Sequence, residues 1–229
     1  RGGAGFAGVD LSGGGVANVV LTGDQSLDEF GFNAVKVGDV NADGTGDILV
    51  GSYLNDGGGN SSGRLYVFFG GAGLANIDLS AGGVASVTYT GKAGSSIGSD
   101  IAVADVNGDG TTDILVGAPA ANQTYVVYGG PALAGFDLSA GGSANVTFTG
   151  KAAGDRMSTP GGLDLNADGI PDLVVGAIFN DDGGADAGQV VVFTGGGTLT
   201  NTDLSAGGVA AFTLTGRAGM KRFGSEVGR

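Results

Sequence analysis

The chain has 229 residues, no histidine, no cysteine and a formal net charge of −13 from 23 acidic and 10 basic residues. Without those two residue types there is no disulfide, no nitrogen- or sulfur-ligated zinc site and no nucleophile that works through a histidine base. An acidic surface with scattered basic residues argues against a nucleic-acid partner, and no apolar run reaches the roughly 18 residues of a membrane span.

Repetition organises the chain from its start. Asp10, Leu11 and Ser12 open a segment that returns at Asp78, Asp137 and Asp203, at intervals of 68, 59 and 66 residues. Each copy leads into a strand in which Thr alternates with apolar residues, the pattern of a strand with one wetter face. Three further apolar runs lie between successive copies. The first runs fall at 34–40, 101–106 and 162–165, the second at 48–52, 114–118 and 173–177. The third fall at 64–69, 125–128 and 189–194, each closed by glycines. Glycine contributes 51 residues, and in this register it marks the corners of short strands.

Four strands in about 60 residues, repeated, are the unit of a propeller. The predicted fold class is therefore all-β, with β-propeller blades of four antiparallel strands: three complete blades plus partial blades at both ends. The divisions are 1–29 for the end of a preceding blade, 30–96, 97–155 and 156–219 for the blades, and 220–229 for the start of a further one. Three blades cannot close a ring, so the chain is expected either to be part of something longer or to be completed by other copies.

Between the first and second strand of each blade lies an aspartate-rich loop. Asp39, Asn41, Asp43, Thr45 and Asp47 occupy its positions 1, 3, 5, 7 and 9. The second copy has Asp105, Asn107, Asp109, Thr111 and Asp113, and the third has Asp164, Asn166, Asp168, Ile170 and Asp172. Glycine stands at position 6 as Gly44, Gly110 and Gly169, where a sharp turn lets alternate side chains converge. Oxygen-only ligands suit a hard cation that takes six to eight of them, which is calcium before magnesium. Ile170 has no side-chain donor, so position 7 is expected to offer its backbone carbonyl. Position 12 is Val50, Val116 or Val175 in a strand, which excludes the helix–loop–helix calcium hand and its bidentate Glu. The loops hold nine of the 23 acids, and three bound dications would bring the net charge to about −7.

The landmarks around these loops are specific. Phe30 and Gly31, Ile97 and Gly98, and Phe223 and Gly224 precede the loop positions; Gly117, Ala118 and Pro119 follow, with Gly51–Ser52 and Gly176–Ala177 as variants. The repeat resembles the FG-GAP repeat of integrin α-subunit propellers and their bacterial surface-protein relatives. That resemblance implies a calcium-binding propeller in extracellular adhesion, with three sites here. The third repeat departs from the pattern, with Met157, Ser158, Thr159 and Pro160 in place of Phe-Gly.

Other features are weaker. Asp181, Asp182 and Asp186 read as an acidic solvated loop rather than a cation site, and Lys92, Lys151 and Arg217 as turn residues rather than a glycan-binding row. Asn60, Asn122 and Asn145 head glycosylation sequons, too short a pattern to weigh. Residues 2–7 fail the calcium nonapeptide pattern at Ala7. Only Glu29 and Glu226 are acids outside the aspartate set, and neither recurs with a partner, so no carboxylate pair suggests a glycosidase. The chain thus reads as a non-enzymatic, calcium-stabilised, extracellular or cell-surface protein for adhesion or structural assembly. Its expected partners are a protein or a second copy through blade edges, with a glycan as a further candidate. A filament or surface-layer subunit is one alternative; a lectin-like or accessory domain of a secreted enzyme is another.

Overall fold

A computed structural model describes residues 19–32, 35–197 and 199–225; the Asp10 copy of the repeat, the glycine-rich residues 2–7 and the tail at 226–229 lie outside them. After β1 (Leu21–Thr22) come β2 (Val35–Gly38), β3 (Asp47–Ser52), β4 (Arg64–Phe68), β5 (Ile77–Asp78) and β6 (Val87–Thr90). The next repeat supplies β7 (Ile101–Ala104), β8 (Asp113–Ala118), β9 (Gln123–Val127) and β10 (Val146–Thr149). The third supplies β11 (Met157–Leu163), β12 (Asp172–Ala177), β13 (Gln189–Phe193), β14 (Thr202–Asp203) and β15 (Phe212–Thr215).

The fold is all-β. Strands β2-β3-β4-β6, β7-β8-β9-β10 and β11-β12-β13-β15 form antiparallel, four-stranded propeller blades. Their second and third strands are buried almost throughout and correspondingly rich in Val, Ile and Leu. Two apolar clusters fill the spaces between blades. One packs Leu49, Leu65 and Tyr89 against Ile101, Ile114 and Val116; the other packs Val106, Leu115 and Phe148 against Met157, Leu173 and Phe193.

Backbone pairing stitches neighbouring blades together at two places. The aspartate that opens each Asp-Leu-Ser segment pairs in parallel with the preceding outer strand: Thr22 with Asp78, Thr90 with Asp137 and Thr149 with Asp203. The aspartate then caps one turn of 3-10 helix, Asp137 accepting from the backbone N–H groups of Ser139 and Ala140. A sequence reading treats this segment only as a lead-in to a strand; in the structure it is a strap. The second stitch uses the Phe-Gly landmark. Ile97 N–H donates to the Ser62 carbonyl at 3.1 Å and Phe223 N–H to the Ala187 carbonyl at 3.0 Å. Gly98, at φ +84°, lies so close to the preceding blade that a Cβ there would sit 2.5 Å from the Arg64 carbonyl oxygen.

The divergent third repeat keeps its packing. Its inner strand is predicted over 162–165, but β11 begins at Met157. Met157 is fully buried in the place that Ile97 takes in the second blade, and the ladder shifts register between Ser158 and Gly161. That irregularity accommodates Pro160, which has no N–H to give a ladder.

The outward face of the third blade differs from the seams. Val40 and Val106 are fully buried under the following blade, whereas the equivalent Leu165 is 52% exposed. Tyr89 is inaccessible, whereas Phe212 and Leu214 on the last outer strand are 55% and 46% exposed.

The Tyr89 hydroxyl is buried with no hydrogen-bond partner among the described residues, while its ring lies 4.8 Å from that of Phe136. An unpaired buried hydroxyl costs more than it returns. Tyr89→Phe should therefore raise stability by about 1 kcal/mol in a denaturant melt; a loss of stability would show that the hydroxyl has a partner.

Candidate functional site

Each aspartate loop joins the first and second strands of a blade, at the end of the sheet where the third strand also exits. Its bend uses two left-handed residues. Position 6 is Gly44, Gly110 or Gly169, at φ +85°, +88° and +91°. Position 4 is Ala42, Gly108 or Ala167, also with positive φ, a second strained point that the residue types do not announce.

Positions 1, 3 and 5 come together on the open side. Asp39 accepts from the N–H groups of Asp43 at 3.1 Å and Gly44 at 2.9 Å. Asn41 accepts from Asp43 N–H through Oδ1 and donates from Nδ2 to the Asp43 carboxylate, both at 2.9 Å. Asp43 accepts from Thr45 N–H at 2.8 Å. The same bonds recur around Asp105, Asn107, Asp109 and Thr111, and around Asp164, Asn166, Asp168 and Ile170. The Asn amide and the position-7 N–H hold the Asp43 and Asp109 carboxyls below the usual carboxylate range, so both carry their charge.

Position 9 is different. Asp47, Asp113 and Asp172 are buried beneath the loop. Asp47 Oδ2 accepts from Val40 N–H at 2.9 Å and Asn41 N–H at 3.3 Å, and its Oδ1 from Gly70 N–H at 2.9 Å. Asp113 repeats this with Val106, Asn107 and Gly129, and Asp172 with Leu165 and Gly195. Burial pushes Asp113 up to about 6, against the pull of its three backbone donors. A carboxylate has about four lone-pair sites, so a fully engaged position 9 keeps about one free.

Among the described residues, no three acidic groups converge closely enough to hold an ion between them. On the open side of each loop only positions 1 and 5 are acids, with an amide between them; the third acid is in the base. As a donor set, two carboxylates, an amide oxygen, a free carboxylate lone pair and a backbone carbonyl are all hard oxygens and fit a calcium ion.

The glycines that close the third strands are part of this arrangement, and the motif alone does not reveal it. The first of each pair, Gly70, Gly129 or Gly195, donates to the position-9 carboxylate of its own blade. A Cβ at Gly70 would meet the Gly46 carbonyl oxygen at 2.1 Å. The second of the pair reaches backwards: Gly130 N–H donates to the Val40 carbonyl at 2.9 Å and Gly196 N–H to that of Val106 at 2.8 Å. Position 2 of one loop is thereby tied to the next blade. The recurrent Gly-Gly in the sequence is the signal that could have pointed there.

The model of the FG-GAP repeat matches residues 32–68, 97–131 and 157–193. The chain is 32% identical over 201 residues to phosphatidylinositol-glycan-specific phospholipase D of Homo sapiens, covering 85% of this chain and 24% of that protein. It is 31% identical over 179 residues to integrin alpha-5 of Xenopus laevis, covering 70% of this chain and 16% of that protein. It is also 33% identical over 144 residues to integrin alpha-7 of Homo sapiens. The chain thus carries three FG-GAP repeats and spans about a quarter or less of the curated relatives it matches. Among the described residues no helix is long and apolar enough to cross a membrane.

Asp113→Ala would strand three backbone donors beneath the second loop. The variant should lose about 3 kcal/mol or more in a denaturant melt, in chelator as well as in calcium. A loss confined to calcium would mean that Asp113 acts only as a ligand.

Proposed function

We propose that these three FG-GAP repeats form part of a calcium-braced, extracellular propeller that does no chemistry of its own and serves adhesion or surface assembly. The observation that carries this reading is the threefold recurrence of one oxygen-rich loop, tied by a buried aspartate to its own blade and, in the first two copies, by a carbonyl to the next. The residues that would hold the ions are Asp39, Asn41, Asp43 and Asp47; Asp105, Asn107, Asp109 and Asp113; and Asp164, Asn166, Asp168 and Asp172. The carbonyls of Thr45, Thr111 and Ile170 would join them. A bound calcium supplies two positive charges where ionised carboxylates crowd, which favours the folded loop. The millimolar calcium outside cells suits a module of this kind.

On this reading the repeats themselves carry no catalytic group. What supports this is that the position-9 aspartates are taken up by backbone N–H groups.

A second reading, self-association through the blade ends, rests on the exposure of Leu165, Phe212 and Leu214 where inner blades bury the equivalent residues. An open outer strand and an apolar blade face accept another repeat unit.

Calcium titration followed by thermal melting tests the first reading. Millimolar calcium should raise the melting temperature, and Asp109→Ala should reduce that rise while leaving the melt in chelator nearly unchanged. An identical melt with and without calcium would overturn it. Light scattering behind a sizing column tests the second. Assembly in calcium that dissociates in chelator is the expected result, and a 22 kDa monomer under both conditions would overturn self-association.

A further inference from the structure

The opposite end of each blade, where the second strand turns into the third and the outer strand leads to the next blade, carries a different chemistry in the third repeat. Five of the chain's ten basic residues, Lys151, Arg156, Arg217, Lys221 and Arg222, lie on the two connections that flank the 178–188 loop. Arg156 and Arg222 hold equivalent positions in successive connections, both in left-handed backbone, at φ 54° and 59°. Both guanidinium groups lie over the Phe179 ring, 5.2 and 5.1 Å from its centroid. Beside Arg156 and Phe179 is a cavity of about 490 Å³, lined also by Lys151, Asn180 and four acids, Asp155, Asp181, Asp182 and Asp186. Arg222 reaches it only across the Phe179 ring, and Asp155 is taken up by the Ala152 N–H and the Asn180 amide.

The other repeats act as internal controls. Where Arg156 stands, they place Glu29 and Ser96 in the same left-handed backbone; where Phe179 stands, two residues past the second strand, they have Leu54 and Ala120. The fold at this position needs neither an arginine nor an aromatic ring.

The acids here are already engaged. Asp182 accepts from Lys151 at 2.7 Å and from Gln189 at 3.1 Å. Asp181 accepts from Asp186 N–H at 2.7 Å, and Asp186 lies 3.7 Å from Lys221. Arg156 and Arg222 have no acidic partner and no side-chain hydrogen bond among the described residues. Each guanidinium offers five N–H donors in a planar fork, and a cation–π contact with the ring restrains the group without using those donors. Such a fork is matched by the paired oxygens of a carboxylate or sulfate. The remaining lone pairs of Asp181, Asp182 and Asp186 suit hydroxyl donors in the same ligand.

We infer that the Arg156–Phe179–Arg222 stack and its cavity form a binding site for an acidic sugar unit of a polysaccharide, with the guanidiniums taking its carboxylate or sulfate and the neighbouring aspartates its hydroxyls. A peptide acid would satisfy the forks but would bring few hydroxyls. The site is independent of the calcium loops, which lie at the other end of the blades.

The test is binding to the immobilised chain, in calcium, of a polyuronate, a sulfated polysaccharide, uncharged dextran and polyglutamate. The wild-type chain should bind the polyuronate or the sulfated polymer, the stronger of the two identifying the anion, and binding should weaken with salt. Arg156→Gln with Arg222→Gln should weaken it at least about tenfold, and Phe179→Leu several-fold. Lys36→Gln, a cation lost at the inner strand of the first blade, should leave it unchanged. The melting temperature should be retained in all variants, since the sister repeats fold with Glu29, Ser96, Leu54 and Ala120 at these positions. No binding to either acidic polymer, equal binding by the double variant, or equal binding of dextran or polyglutamate would overturn the assignment.

Discussion

A buried carboxylate holding backbone N–H groups together underlies the architecture. Asp47, Asp113 and Asp172 would cost several kcal/mol each if they were simply removed from water. They are tolerated because two or three main-chain donors converge on each, some from their own loop and one from the glycine where the third strand ends. That convergence fixes the loop's shape and positions the side chains at 1, 3 and 5 on its open side. It also places the position-2 carbonyl where the next blade's second glycine can reach it. The upward displacement of Asp113 to about 6 shows how closely desolvation competes with these bonds.

The seams extend the same logic through the array. Blades are joined by backbone pairing at the Phe-Gly landmark, by the parallel strap at Asp-Leu-Ser and by the glycine-to-carbonyl bond of the loops. Apolar packing fills the space between these three ties. The second blade buries one face on the first blade and the other on the third, as expected of quasi-one-dimensional repeats. The exposed Leu165, Phe212 and Leu214 are apolar for that reason, since the same positions are buried in the repeats before them.

Repetition also separates what the fold requires from what it leaves open. The left-handed residue ahead of each inner strand recurs as Glu29, Ser96, Arg156 and Arg222, so the backbone there is fixed and the side chain is free. Chemistry can vary at that end of the blades without disturbing the ladders. At the loop end, by contrast, spacing and residue type recur almost unchanged, because the backbone bonds and the oxygen set depend on both.

Much of this was legible in the amino-acid order. The period, the all-β class, the four strands of each blade and the fifteen loop positions follow from local patterns: Thr/apolar alternation, glycine corners and aspartates at every second residue. Local periodicity reports what one segment does with its own backbone, and it sufficed for these features. It missed whatever depends on two segments far apart in sequence. The strap at Asp-Leu-Ser, the donation of Gly129 to Asp113, the entry of Met157 into an extended β11 and the stacking of Arg156 and Arg222 on Phe179 all belong to that class. For position 9, composition could say only that an oxygen was present. Whether it faced the open side of the loop or the N–H groups beneath it was decided by the third strand, which arrives from more than fifteen residues away and supplies the donor that turns the carboxylate inward.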